Sequence, residues 1–303
     1  MSLALQLASG IADFDDIRVA VVENTQAEPA PQIRVPAPPK SLSNRHTNTL
    51  GMIFAPVPGT KVLFSIWDTR LKDFQAFVEE TAYNANQGMV TVGSDGRKAR
   101  GASWRDPGFP QGPTYPVCGV SWDDAHAFCR WLTEKERRSG WLDIKQSYRL
   151  PTDAEWSVAA GNNTYPCGNQ WPPPTNAGNY AGEETLEKPV YPGFKFMPGF
   201  RDGFSRTSPV GSFLPNRYGL YDMGGNLWQW CEDWYRKEMN TEEARQNSHW
   251  VKEDGGGRSL QVLRGASWVD GGYGTPVVLS AFRGAANPQS RGDAYGFRCV
   301  LAP

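Results

Sequence analysis

The sequence is poor in the residues on which metal and redox chemistry usually depends. Its 303 residues include only three histidines, His46, His126 and His249, and no two of them lie at a spacing typical of metal ligands. The five cysteines form no Cys-x-x-Cys pair, which argues against a zinc ribbon and against a dithiol redox motif. A catalytic metal held by histidines is therefore not expected.

Excess charge and long apolar runs are also missing. The 31 basic and 32 acidic residues give a formal net charge of −1, so the chain has no overall field to attract nucleic acid or an acidic membrane. No apolar run reaches the roughly 18 residues that a membrane-spanning helix needs. Residues 1–10 lack the basic start and the cleavage site of a signal peptide. We expect neither a nucleic acid nor a membrane as partner, and these features favour a cytoplasmic location without fixing it.

Glycine, proline and aromatic residues are abundant instead. The chain has 32 Gly and 24 Pro, together with 12 Trp, 14 Phe and 11 Tyr. So many large apolar side chains favour a folded domain of turns and short strands over disorder. The densest stretch is residues 216–230, NRYGLYDMGGNLWQW, in which glycines permit unusual backbone angles and aromatic rings cover them. Such a stretch predicts a core that is built largely from loops.

The first 40 residues differ in composition from the rest. Residues 26–40 are proline-rich and suit a stiff, extended linker. Residues 17–22, with the sequence IRVAVV, fit a single strand before that linker. We therefore predict a tail and linker over residues 1–40, which could follow an upstream domain in a longer bacterial protein. A single domain is predicted over residues 41–303.

Three helices are predicted from apolar periodicity and capping signals. Residues 69–81 have apolar side chains at the spacing of an amphipathic helix. Ser121 followed by Asp124 predicts the capping box of a second helix, because the hydroxyl and the carboxylate can each accept the other residue's backbone N–H. Thr152 and Glu155 predict the same arrangement at the start of a third, short helix.

Strands and loops are predicted around these helices. Residues 52–66 fit two strands that flank a Pro-Gly turn. Further strands are predicted for residues 260–264 and 296–301. Residues 84–116 and 161–215 contain many glycines and prolines and are predicted to be loops.

Five motifs occur in order along the chain. They are GVSWDDA (119–125), YRLPTDAEW (148–156), the stretch 216–230, LRGASW (263–268) and YGFRC (295–299). Together they resemble the formylglycine-generating enzyme family, whose domain is a variant of the C-type lectin fold. The resemblance extends from about residue 50 to the C-terminus. It implies an α+β, C-type lectin-like fold with few regular strands and helices and long ordered loops, and it says much less about function.

The resemblance places an oxidase centre just after Trp268. In the formylglycine-generating enzyme, two cysteines that follow an Arg-Gly-Gly-Ser-Trp motif bind copper and activate oxygen toward a substrate cysteine. Thiolates suit Cu(I) because both are soft. The matching positions here are Asp270 and Thr275, and no cysteine lies between Cys231 and Cys299. We therefore assign no catalytic residue and expect neither copper nor iron.

Calcium is the metal that the resemblance does imply. Family members hold a structural Ca²⁺ through an Asn side chain with the next carbonyl, and through an Asp side chain with the carbonyl two residues on. The matching ligands are the side chains of Asn179 and Asp202 and the carbonyls of Tyr180 and Phe204, although an Asp-Gly pair also fits an ordinary turn. A second family site includes a Glu that Gln229 replaces here, which should weaken it.

Loops near the C-terminus form the predicted binding cleft, because binding residues concentrate on loops beside a rigid sheet. It comprises residues 267–275, 282–287 and 291–295. Its candidate ligand-binding residues are Ser267, Trp268, Asp270, Tyr273, Thr275, Phe282, Arg283, Asn287, Arg291 and Tyr295. The arginines of this region could bind an anion, or could instead bridge to carboxylates and carbonyls of the protein itself.

These features favour a non-catalytic domain that binds an unidentified small molecule or protein. Two alternatives stay open. One is a metal-dependent oxidoreductase of the same family, of the sulfatase-modifying or the non-haem iron type. The iron-dependent relatives, however, carry their ligands largely on an additional N-terminal helical domain. The other alternative is a retroelement-diversified variable protein, because such proteins share the fold and vary this same C-terminal region.

Cys129 and Cys299 are expected to lie side by side. Cys129 belongs to the apolar stripe of the second predicted helix, and Cys299 lies in the last predicted strand. In secreted members of the family that the chain resembles, cysteines at these two positions form a disulfide. The resemblance therefore implies that the two sulfurs approach closely, and it leaves open whether they are bonded.

Overall fold

The computed structural model describes residues 45–92, 98–187, 193–235, 260–272 and 276–303. The predicted tail, strand and linker of the first 40 residues lie outside these ranges. No helix in the described ranges has both the length and the hydropathy that crossing a bilayer would require.

The strands of the described residues are short. They are β1 (His46–Thr47), β2 (Ile53–Pro56), β3 (Leu63–Ser65), β4 (Met89–Val92), β5 (Lys98–Ala102), β6 (Ser147–Arg149), β7 (Trp228–Trp234), β8 (Gln261–Arg264), β9 (Gly284–Ala286), β10 (Tyr295–Gly296) and β11 (Val300–Ala302). Five of them form a sheet of order β1-β2-β3-β11-β6, and four form a second sheet of order β10-β7-β8-β9. The third sheet is the β4–β5 hairpin.

Four helices accompany these sheets in the described residues. They are α1 (Leu71–Thr81), α2 (Trp122–Arg138), α3 (Asp153–Ala160) and α4 (Glu184–Glu187). Both predicted capping boxes are confirmed: Ser121 and Asp124 exchange hydrogen bonds at the start of α2. Thr152 and Glu155 do the same at the start of α3. The predicted α+β, C-type lectin-like class with long loops is confirmed as well.

The last strand completes the larger sheet. β11 lies between β3 and β6 and is antiparallel to both, with Val300 opposite Phe64 on one side and Arg149 on the other. β2 and β3 pair as the predicted hairpin within residues 52–66. The C-terminal residues are therefore held in the interior of a sheet.

Two predictions about strands were wrong, and the strands β1, β6, β7 and β9 were not predicted. Residues 84–116 were predicted to be loop, but they contain the β4–β5 hairpin. Residues 296–301 were predicted to form one strand, but the backbone crosses between sheets: β10 pairs in parallel with β7, and β11 joins the other sheet. β7 itself starts inside the glycine-rich stretch 216–230, where the loop-like composition concealed it.

Aromatic rings fill the core between α1, α2 and the segment that joins β10 to β11. Phe74 of α1 packs against Trp104, Phe128 and Phe297 with ring centroids 5.1 to 6.4 Å apart. All four side chains are at most 1% exposed. Edge-on and offset contacts of this kind suit the quadrupoles of aromatic rings. The motif YGFRC thus places its Phe in the main core.

A buried arginine connects the two larger sheets. Arg298 is fully buried, and its guanidinium donates to the side chains of Gln229 and Asp68 at 2.8 and 3.1 Å. It also donates to the backbone carbonyls of Ser65, Tyr221 and Asp222. The planar fork of Arg has five N–H donors, two more than the ammonium group of Lys, and so can satisfy more acceptors at once.

Because several aspartates are buried, we expect the domain to lose stability as the pH rises. Burial raises the pKa of Asp68 to about 8, that of Asp222 to about 6 and that of Asp233 to about 7. The native state therefore keeps protons that the unfolded chain has already lost, so the free energy of unfolding should fall from about pH 4 to about pH 8. Urea unfolding at about pH 5 and about pH 8, at constant ionic strength, checks this slope.

Asp222→Asn should flatten that pH dependence, and Asp143→Asn should leave it unchanged. Asp222 has φ of +52°, a conformation that Asn also tolerates, so the exchange removes a titrating carboxyl without backbone strain. Asp143 is exposed, so it serves as the matched control. A free energy of unfolding that rises toward pH 8 would contradict the prediction.

Candidate functional site

The segment after Trp268 is the place where the resemblance locates the copper cysteines, and here it forms a closed turn. Asp270 accepts hydrogen bonds from the backbone N and the Oγ of Ser267, at 2.9 and 2.8 Å, through a single carboxylate oxygen. The carbonyl of Asp270 accepts from Ala181 N at 2.9 Å. Burial raises the pKa of the Asp270 carboxyl. The carboxylate therefore stabilises its own loop.

The neighbouring glycines seal this turn against another loop. A Cβ at Gly272 would collide with the backbone carbonyl of Lys195, so the two backbones are in direct contact. A Cβ at Gly271 would lie 3.0 Å from the side chain of Met197. Tyr273 and Thr275, which belong to the predicted cleft, lie outside the described residues.

Trp268 is a core residue in this structure. It is 2% exposed and belongs to an apolar cluster with Phe194 and Leu227. Its ring lies under the guanidinium of Arg206 at 4.7 Å, and its Nε1 donates to the carbonyl of Asp293 at 3.2 Å. A ligand could reach this ring only if these contacts opened.

Two predicted arginines anchor loops to helix starts. Arg283 donates from Nε to Asp153, the first residue of α3, at 2.5 Å. Arg291 donates from Nε and Nη2 to the two carboxylate oxygens of Asp124 in the first turn of α2, both at 2.8 Å. These are the bridges to carboxylates that the sequence left open as an alternative, and they hold the two loops at different helices.

The remaining members of the predicted cleft are spread along the same loops. Phe282 packs on Trp228 with ring centroids 5.9 Å apart, and Tyr295 packs on Trp230 at 5.6 Å. Asn287 is exposed, and its side chain accepts from Gln289 N. Most of the eight described residues of the predicted set contact other parts of the protein, and a shared ligand-binding cleft stays a prediction.

The two stretches that carry the predicted calcium ligands lie against each other. The Asp202 carboxylate accepts from the backbone N of Tyr180 at 2.8 Å and from that of Phe204 at 2.9 Å. Asn179 is fully buried, and its Oδ1 has no hydrogen-bond partner. Burial raises the pKa of Asp202 to about 7. A buried carboxyl beside an unpaired amide oxygen fits a hard cation that prefers oxygen ligands.

Glu184 adds a second carboxylate that the sequence motif did not include. Its Oε1 accepts from Gly203 N at 2.8 Å, the amide next to the one that binds Asp202, while its Oε2 is buried without a partner. The charge of Glu184 contributes to the raised pKa of Asp202. The only signal in the sequence was the Glu-Glu pair four residues after Asn179.

The other metal arrangements that the sequence raised find less support. Gln229 Oε1 already accepts from Trp156 Nε1 and Arg298 Nε, both at 2.8 Å, where the second family calcium site would need a free ligand. His46 contacts the hydroxyl of Tyr148, and His126 pairs with Glu232. His249 lies outside the described residues. No cluster of three or more His, Cys, Asp or Glu side chains suited to a metal occurs in the described part of the chain.

Cys129 and Cys299 lie together as expected. Their sulfurs are 3.6 Å apart, and both residues are buried. The thiols are free in this structure. The close approach that the resemblance implied is thereby confirmed, and it supports the alignment of α2 and of the C-terminal segment.

Concave surfaces occur mainly at positions that the sequence did not indicate. A groove of about 730 Å³ lies between residues 86–90 and residues 289–291. A cavity of about 340 Å³ lies between residues 160–167 and residues 214–224 and has several asparagines in its lining. Of the eight predicted cleft residues that the structure describes, Arg291 alone lines either one.

The architecture and the five motifs define a C-type lectin-like domain of the formylglycine-generating type. Residues 64–303 match the family model described as the sulfatase-modifying factor enzyme 1-like domain, and the chain belongs to this family. It is 31% identical to the formylglycine-generating enzyme of Bos taurus over 236 residues, which are 75% of this chain and 56% of that protein. It is 34% identical to the inactive C-alpha-formylglycine-generating enzyme 2 of Mus musculus over 213 residues, 66% of this chain and 54% of that one.

A solved structure shows the same fold at lower sequence similarity. PvdO from Pseudomonas aeruginosa superposes with a TM-score of 0.62 at 20% identity, covering 88% of this chain and 100% of that one. The chain spans little more than half the length of the two curated relatives named above.

Proposed function

We propose that this chain is a non-catalytic ligand- or partner-binding domain of the formylglycine-generating enzyme family. Asp270 carries the proposal. At the position of the first copper cysteine of the family, its carboxylate is engaged by the backbone and the hydroxyl of Ser267. A hard carboxylate is a poor ligand for Cu(I), which requires soft sulfur donors. The similarity to a mouse relative that is named inactive agrees with this proposal.

A Cu(I) titration tests the loss of the metal centre. In competition with a Cu(I) chelator, the wild-type chain should take up no copper at this site, since neither Asp270 nor Thr275 supplies a thiolate. The double variant Asp270→Cys/Thr275→Cys restores both sulfurs and should compete with the chelator. Tight binding of one Cu(I) by the wild type would contradict the proposal.

The groove beside Arg291 is the place where we propose that a partner binds. Its walls are joined by the hydrogen bond from Val90 N to the carbonyl of Arg291 at 2.9 Å. Asn86, Gln87 and Gln289 supply side-chain amides to its lining. Amides both donate and accept, so they suit the backbone of an extended polypeptide. Gln289→Trp would fill the groove from an exposed position, so it tests whether the partner binds in this groove.

Calcium should stabilise the domain if Asn179, Tyr180, Asp202 and Phe204 hold it. A cation that binds the native state alone adds RT ln(1 + [L]/Kd), about 2.7 kcal/mol at a hundredfold excess over Kd. For a domain of this size that corresponds to a Tm increase of a few degrees. Thermal melts in EDTA and in millimolar calcium measure it.

One variant tests the proposed calcium site, and a second serves as the control. Asp202→Asn should abolish the increase in Tm, because it removes the buried charge that faces the cation. Asp106→Asn should retain it, because Asp106 is exposed and bonds only within its own turn. Wild-type protein that shows no increase, and that carries no calcium by elemental analysis, would rule out the site.

A further inference from the structure

A small cavity lies between residues 157–164, Arg264 and residues 279–281. Its volume is about 270 Å³. Its lining residues carry hydroxyl, amide and guanidinium groups and include no carboxylate. The polar lining residues are Ser157, Asn162, Asn163, Thr164, Arg264 and Ser280. All of these side chains can donate a hydrogen bond, so the cavity suits a ligand that accepts hydrogen bonds.

Two of the lining residues have buried polar atoms without partners. Arg264 is 1% exposed, and its Nη atoms are engaged by Asp153, by Ser157 at 3.0 Å and by the carbonyl of Ser280 at 2.6 Å. Its Nε, in contrast, has no acceptor. The Oγ of Ser280 is buried without a partner as well. Buried polar groups are nearly always paired in native proteins, so these two atoms point to a missing partner.

Positively charged side chains outnumber negatively charged ones around the cavity. Arg264 and Arg283 both pair with the single carboxylate of Asp153. A further carboxyl, that of Asp233, accepts from Asp153 N at 2.6 Å, and burial raises its pKa to about 7. Asp153 alone therefore balances two guanidinium groups whenever Asp233 is protonated. A guanidinium in such a setting binds planar oxyanions well because its fork matches their geometry.

We propose that this cavity binds a small oxyanion, such as the carboxylate group of a metabolite, through Arg264 and the hydroxyl of Ser280. The anion would supply the acceptor that Arg264 Nε lacks and would accept from Ser280 Oγ. Residues 162–164 also line the cavity and carry further amide and hydroxyl groups. The inference does not depend on the copper centre, on calcium or on the groove beside Arg291.

Isothermal titration calorimetry of the full chain tests this proposal. The probes are acetate and malonate for carboxylates, and sulfate and phosphate for inorganic oxyanions, with chloride balancing the ionic strength. Calorimetry is preferred to thermal melts because sulfate and phosphate stabilise most proteins without binding a site. We expect saturable binding of one anion per chain, and the comparison of the probes identifies which kind of oxyanion the cavity prefers.

Variants at Ser280 decide whether the binding is at this cavity. Its backbone N and O keep their bonds to Thr164 and Arg264 in any variant, so the fold should survive. Ser280→Ala should weaken binding about tenfold, and Ser280→Asp should abolish it because the new carboxylate would occupy the cavity. Ser139→Ala, at the exposed end of α2, should bind normally. Absence of saturable binding of every probe, or binding that is unchanged in Ser280→Asp, would overturn the proposal.

Discussion

Replacement of Arg298 by alanine should lower the free energy of unfolding by about 3 to 5 kcal/mol, a large effect for a single residue. The guanidinium is fully buried and donates to Gln229, to Asp68 and to three backbone carbonyls. Gln229 Oε1 and the carbonyl of Asp222 keep other donors after the truncation. Each buried group that is left unsatisfied costs about 1 to 3 kcal/mol. Urea unfolding of the wild type and the variant at neutral pH measures the loss.

Two further variants separate the contribution of the Arg298 fork from that of charge alone. Arg298→Lys keeps the charge but can reach fewer of the acceptors, so its loss should be smaller than that of Arg298→Ala and still clearly measurable. Arg217→Ala is the matched control, because that arginine is exposed and contacts only the neighbouring Tyr218. Its effect should stay within about 0.5 kcal/mol. A loss at Arg298 as small as this would mean that the fold does not depend on the buried guanidinium.

Oxidation should join Cys129 and Cys299 and raise the free energy of unfolding by up to about 5 kcal/mol in the chain-entropy model. Their sulfurs are 3.6 Å apart across a separation of 170 residues, so a bond would close a very long loop. Strain in the native state would subtract from this value. Burial raises the pKa of Cys129, so the reaction should be slow.

Peptide mapping under non-reducing conditions identifies the bond. Cys118 and Cys231 are buried elsewhere, and Cys167 is the most accessible of the five thiols, so each is a possible competitor. We expect the peptides of Cys129 and Cys299 to appear as one linked species. Cys299→Ala should lose both this species and the gain in stability. Crosslinks that involve the other three cysteines instead would show that the sulfurs do not meet in solution.

Features that depend on residues close in sequence could be predicted well. The capping boxes at Ser121 and Thr152 need only the residue three positions on, and both are present. The five ordered motifs identified the fold, and with it the proximity of Cys129 and Cys299. The two stretches that carry the predicted calcium ligands also lie together, because the backbone N of Tyr180 and that of Phe204 both donate to Asp202. Calcium binding itself stays a prediction.

Features that depend on distant partners could not be predicted. The sequence placed Arg283 and Arg291 in one cleft because they are close along the chain. Their carboxylate partners, Asp153 and Asp124, lie at the starts of two different helices more than a hundred residues away. The unpaired Nε of Arg264 is equally invisible without the packing around it. Hydrophobic periodicity likewise could not show that residues 295–302 cross from one sheet to the other.

An oxidase assay tests directly whether this domain is non-catalytic. The wild-type chain is incubated with Cu(I), oxygen, a reductant and a Cys-x-Pro-x-Arg peptide, and the peptide is then examined for an aldehyde by mass spectrometry. We expect the cysteine of the peptide to stay unmodified, because Asp270, which is held by Ser267, stands where the family has a copper thiolate. Robust, repeated conversion of the peptide cysteine to formylglycine would show that this domain is an enzyme after all.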